Sequence, residues 1–116
     1  MSQVYPRAGD TYIAWAGTAG AADNAIIYTS GDISGFNYHT IAVTGTNSSD
    51  VEVTIDGTTW HVASVTLIDN VTTGGGIQVI TIPTGKMGYL KGKFKQLRVR
   101  EDGATDSDAF GAHSWV

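Results

Sequence analysis

Three histidines, His39, His61 and His113, are the residues of this chain best suited to move a proton near neutral pH, and each stands alone in its local segment. No Gly-x-Ser-x-Gly elbow, His-Glu-x-x-His pattern or Walker glycine loop accompanies them. The sequence therefore predicts a protein that is not an enzyme and carries no cofactor. His39 and His61 fall in strand-like runs, where a hydrogen-bonded structural histidine is the expected role. Asp102, Asp106 and Asp108 could offer oxygens to a hard cation, but the glutamate and glycine pattern of an EF-hand loop is missing. A solvated acidic turn without a metal is the expectation.

Lys86, Lys91, Lys93, Lys95, Arg98 and Arg100, interleaved with Tyr89 and Phe94, read as a basic stripe that could track a single-stranded nucleic acid. The chain as a whole has a net charge of −4, and Glu101, Asp102, Asp106 and Asp108 follow the stripe directly. Ion pairing within or between chains is favoured over nucleic acid. Residues 1–85 hold one base, Arg7, against seven acids, so charge is segregated along the chain in blocks that can meet across a fold or an assembly. Arg98 and Arg100 share one strand face, and their expected partners are Glu101, Asp102, Asp106 or Asp108 of the same or a neighbouring chain. Trp15, Trp60 and Trp115 would suit carbohydrate stacking, but Trp60 beside a turn is expected in the core and Trp115 docked on a neighbour or a domain edge.

The elements that must position these residues are β-strands. In Val51 to Ile55 apolar residues alternate with Glu52 and Thr54, and Asp56-Gly57 then supplies a tight turn into the β-rich run Thr58 to Ile68. The apolar phase of that run slips by one residue, which predicts a β-bulge near Ala63-Ser64. Thr11 to Ala16, Ala25 to Ser30, Asn37 to Thr44 and Lys93 to Arg100 read as further strands. Ile77 to Ile82 is apolar on both faces and is expected in the middle of a sandwich or at a subunit contact. Gly85 to Gly92 reads as a loop or short edge strand, and the tail beyond Glu101 as a turn followed by an aromatic cluster of Phe110, His113 and Trp115. With 116 residues, fifteen glycines and no cysteine, the chain predicts one all-β domain, a β-sandwich of jelly-roll or immunoglobulin-like type with about seven or eight strands, over residues 11–116. Residues 1–10 read as an N-terminal arm. No window is apolar enough for a membrane span and no signal peptide is recognisable, so neither a membrane nor export is expected.

The phrase VEVTIDGTTWHVA, a glycine-rich turn and then GKFKQLRVREDGATDSD make the chain resemble small β-sandwich structural proteins of tailed bacteriophages, in particular head decoration (cement) proteins, from about Asp32 to Asp108. The resemblance implies a non-enzymatic virion protein, made in the host cytoplasm, that binds the major capsid protein on the outer surface of an assembled capsid, commonly as a homotrimer. The alternatives are a tail or fibre domain that binds host glycans, or a carbohydrate-binding module. Tyr5, Pro6 and Arg7 of the arm, together with Arg98, Arg100 and Trp115, are the candidate interface residues.

Overall fold

Alternating burial, with each strand turning one face to a common interior, runs through the computed structural model, which describes residues 12–19, 24–68, 77–103 and 107–114. The strands are β1 (Tyr12–Ala19), β2 (Ile26–Thr29), β3 (Tyr38–Gly45), β4 (Ser49–Thr54), β5 (His61–Val62), β6 (Val65–Ile68), β7 (Gln78–Val79), β8 (Thr81–Ile82), β9 (Met87–Lys91), β10 (Gln96–Glu101) and β11 (Ser107–Ser114). They form a six-stranded sheet in the order β1-β11-β3-β9-β6-β7 and a five-stranded sheet in the order β2-β10-β4-β5, with β8 also paired to β4. Every pairing is antiparallel. The molecule is a single-domain β-sandwich, and no described residue is helical.

The core lies between the sheets. Ile41, Val43, Val65 and Ala109 from the larger sheet meet Ile27, Val51, Val53, Leu97 and Val99 from the smaller, with Trp15, Ile33 and Ile82 completing the cluster. These are the inward positions of a period-2 pattern, as in β10, where Leu97, Val99 and Glu101 point in and Arg98 and Arg100 point out.

Several sequence expectations are revised. The phase slip at Ala63-Ser64 is not a bulge but a change of sheet, since β5 pairs β4 in the smaller sheet and β6 pairs β9 in the larger. The run Ile77 to Ile82 makes the same crossing in reverse: β7 pairs β6, and β8 pairs β4. Its apolar residues are therefore divided, Ile82 fully buried but Ile77 and Ile80 56% and 60% exposed, and no central strand exists there. These two crossings split two expected strands into four. Two more were missed: β9 is an interior strand rather than a loop or edge, and β11 inserts between β1 and β3. The Asp56-Gly57 turn is wider than a two-residue hairpin. Asp56 Oδ1 accepts the N–H groups of Thr58 and Thr59 at 2.8 Å, Gly57 takes φ 89°, and Ile55 points to solvent.

Close approach of backbones demands small residues in β11. A Cβ on Gly111 would lie 1.8 Å from the carbonyl oxygen of Thr40 and 2.9 Å from the Trp15 ring, whereas Gly31 and Gly35 face open space. Gly111→Ala should lower the melting temperature by on the order of 10 °C, because neither backbone nor indole can retreat cheaply, while Gly31→Ala should shift it little. Thermal denaturation of the two variants checks both halves.

Candidate functional site

The outer face of the five-stranded sheet carries the arginine pair. Register sets Glu52 of β4 directly opposite Arg98. Arg98 Nε donates to Glu52 Oε1 at 2.5 Å, Arg100 Nε to Oε2 of the same carboxylate at 3.3 Å, and an Arg100 terminal nitrogen to the Asn24 carbonyl at 2.9 Å. The Arg98 guanidinium also lies 4.1 Å over the Trp60 ring. Burial acts to raise the Glu52 carboxyl, but the hydrogen bonds and charges of the two arginines outweigh it and hold the group below its ordinary value. Within the described residues of this chain the partner is Glu52 rather than Glu101, Asp102 or Asp108. Glu101 points into the core, Asp102 is exposed at a turn, Asp108 belongs to the other sheet, and Asp106 lies outside the described residues. Trp60 covers Arg98 on the outer face rather than filling the core. Tyr5, Pro6, Arg7 and Trp115 also lie outside the described residues.

The basic stripe does not survive folding as one surface, because Lys91 ends β9 in the larger sheet while Arg98 and Arg100 lie in the smaller. Among the described residues, no three His, Cys, Asp or Glu side chains are placed to share a metal ion.

The outer face of the six-stranded sheet is different in kind. Register aligns Ala16, Phe110, Ala42, Met87 and Ile68 in one row across five strands. Beside it run Ala14, Ala112, Thr40, Tyr89, Thr66 and Gln78. Neither row holds a charged residue, and Phe110, Met87 and Ile68 are 50%, 42% and 37% exposed. Tyr38 and Tyr89 stack at 5.4 Å nearby, and Lys91 lies 6.0 Å from the Tyr89 ring centre. Only Phe110 of this row drew notice in the sequence, as part of a tail cluster. A weak period over residues 107–114, with Gly and Ala at three positions, hid the strand that aims it.

The histidines that look isolated in the sequence meet in the interior. His39 of β3 and His113 of β11 are register partners, both fully buried, with their Nδ1 atoms 2.9 Å apart. His39 Nε2 lies 2.9 Å from the Gly92 carbonyl oxygen, which can only accept, so that nitrogen carries the hydrogen. Neutral His39 therefore accepts at Nδ1, His113 donates from Nδ1, and His113 Nε2 accepts from the Tyr28 hydroxyl at 2.9 Å. The three bonds have one consistent direction. Trp15 and Tyr28 stack at 4.0 Å against His113, and Phe94 packs on His39. Burial, and then the charge His39 would carry, push His113 down to about 4; burial lowers His39 too, partly offset by its Gly92 bond. Burial pushes Tyr28 up to about 12. His61, in contrast, is exposed.

This geometry describes a class of protein, an antiparallel two-sheet sandwich with one self-paired charged face and one face crossed by two uncharged rows. No family model and no curated protein sequence matches the chain. Among solved structures it is similar to the crystal structure of SPBc2 prophage-derived protein YomS, with a TM-score of 0.64 and 11% identity over 97% of this chain and 98% of that one. The fold is thus one that a prophage-derived protein also adopts. A protein of Bacillus endospore appendages, disulfide-linked pili, aligns over 99% of this chain and 100% of its own at 15% identity, with a TM-score of 0.34.

Two outcomes are expected. Both histidine pKa values are lowered, so the stability they contribute is present above about pH 6.5 and falls on acidification; His113, held at about 4, by itself accounts for about 2 kcal/mol by pH 5. Urea denaturation at pH 7 and pH 5 should show that loss, and His113→Gln should be less stable at pH 7 yet lose less on acidification. Arg98→Ala with Arg100→Ala strands a half-buried carboxylate and should cost about 1–3 kcal/mol of folding stability, part of which Glu52→Gln restores in the triple variant.

Proposed function

We propose that the protein is a non-enzymatic virion structural component that binds the major capsid protein on the outside of an assembled capsid, stabilises the lattice, and sits there as a homotrimer. The observation that supports this reading best is the pair of uncharged rows across the outer face of the six-stranded sheet, between Asp108 and Lys91, with Phe110, Met87 and Ile68 aligned and exposed. Thirty-five strand residues, each covering about 3.4 by 4.8 Å, give a face on the order of 600 Å², near the size one partner contributes to a standard interface. An exposed apolar row on such a face costs solubility unless it is used. The shared fold with a prophage-derived protein is in keeping with the reading. We assign the interface to this face rather than to the arginines, which Glu52 already engages.

A glycan-binding role draws on a different observation. Trp15 is buried and Trp60 is capped by Arg98, so among the described residues a sugar would use the stacked Tyr38 and Tyr89, beside a shallow groove bordered by Asn37, Lys91 and Lys93.

Phe110→Asp with Met87→Asp should leave the melting temperature within a few degrees of the parent, since both side chains are substantially exposed, and should abolish co-sedimentation with purified capsids. Failure of the unaltered protein to pellet with capsids overturns the decoration reading. Undiminished pelleting of the variant removes this face from it, and retention on a glycan array that Tyr89→Ala destroys favours the glycan role.

A further inference from the structure

Where β3 begins and β9 ends, the outer face of the six-stranded sheet changes character. Tyr38 is the register partner of Lys91, and Gly92 N–H donates to the Asn37 carbonyl at 2.9 Å. The Gly92 carbonyl accepts from His39, and its φ of 145° turns the chain between Lys91 and Lys93. Both lysines are thus carried on backbone anchored to the buried histidine pair, while they themselves stay exposed. A hollow of about 430 Å³ lies between Tyr38, Lys91 and Lys93. A second, of about 270 Å³, shares Lys91 and adds Tyr89, Thr66 and Gln78. Together they form a groove that borders the second uncharged row and none of the first, where Phe110, Met87 and Ile68 lie.

Thr66 is the register partner of both Tyr89 and Gln78, so ring, hydroxyl and amide follow one another across three strands at ~4.8 Å spacing. Tyr38 and Tyr89 stack at 5.4 Å with their planes 10° apart, and Lys91 Nζ lies 6.0 Å from the Tyr89 ring centre. The groove therefore offers aromatic surface, a hydroxyl and an amide that each donate and accept, and two ammoniums that only donate. Sugar rings, with hydroxyls at their edges and C–H groups on their faces, match such a lining.

Charge narrows the ligand. No described residue lining either hollow is acidic, and Glu52, the described carboxylate that binds side-chain cations, is taken by Arg98 and Arg100 on the other sheet. Two ammoniums gathered on a chain of net charge −4 make a local positive spot that attracts an anion. An ammonium is a point charge without the fork of a guanidinium, so it takes carboxylate and phosphate alike.

We propose that this groove binds an anionic saccharide, with a sugar ring against Tyr89, its hydroxyls bonded to Thr66 and Gln78, and its carboxylate or phosphate between Lys91 and Lys93. The inference rests on the glycan reading of the two tyrosines and adds to it the second hollow and the sign of the ligand's charge.

The test is NMR titration of the full chain with trigalacturonic acid, neutral galactotriose, glucose-6-phosphate and inorganic phosphate. Trigalacturonic acid should bind about tenfold or more tighter than galactotriose, lose that advantage in Lys91→Gln with Lys93→Gln, and weaken between about 20 and about 200 mM salt. Tyr89→Ala should weaken both trisaccharides, while Lys86→Gln, at the far end of β9, should change nothing. Binding of either anionic sugar in this pattern supports the proposal, and the tighter of the two names the anionic group. Equal affinity for galactotriose, or an anionic sugar held as tightly by the lysine variant, overturns the proposal and leaves the glycan reading standing. No binding of any sugar removes both. Inorganic phosphate bound as tightly as the anionic sugars, with Tyr89→Ala without effect, makes the groove a bare anion site and overturns the proposal too.

Discussion

The directional hydrogen-bond chain from Tyr28 through His113 and His39 to the Gly92 carbonyl constrains more of this molecule than any other interaction. It joins β2 of one sheet to β3 and β11 of the other and ends at the close of β9, so both sheets are fixed to one another through it. Slipping β11 by one residue against β3 would turn His113 outward, bury Phe110 and strand His39 without a partner. The pair thus acts as a register pin. Its cost is the exclusion of charge: with one hydrogen already between the two Nδ1 atoms, a proton can enter only at His113 Nε2, and then the Tyr28 hydroxyl must turn its own hydrogen aside and accept instead.

That internal order sets the character of the outer faces. On the smaller sheet two guanidiniums, one carboxylate and an indole satisfy each other, and a closed network of this kind presents little unmet valence to a partner. On the larger sheet the same alternation that buries His39, Ile41 and Val43 delivers alanines, threonines, Phe110 and Met87 to the surface. Charge segregated along the sequence is redistributed by topology, since β9 and β10, adjacent in sequence, belong to different sheets.

How much of this was legible follows from where the signals lie. The fold class was, because alternation in Val51 to Ile55 and in Gln96 to Glu101 and the abundance of turn residues are local features. The sheet crossings at Ala63-Ser64 and at Ile80 left a local trace too, a slipped phase in one and a doubled apolar pattern in the other, but a slipped phase reads equally as a bulge. β11 was not legible, since glycine and alanine at its close contacts mute the pattern that marks a strand. The histidine pair and the Arg98–Glu52 bond were not legible for a stricter reason: their members are 74 and 46 residues apart, and only register brings them together.

The place of β11 has a kinetic consequence. β1 hydrogen-bonds to nothing in its own sheet except β11, and Tyr12 finds its partner in Ser114, about a hundred positions along the chain. The loop-closure entropy for that edge is incurred before any of its contacts return energy, which places the sheet among slow-folding, high-contact-order topologies. Until β11 inserts, β1 and β3 are both bare strand edges, and their sequences, YIAWAGTA and YHTIAVTG, carry no formal charge to repel another copy. Refolding yield should therefore depend on protein concentration more steeply than the stability of the finished sandwich would suggest.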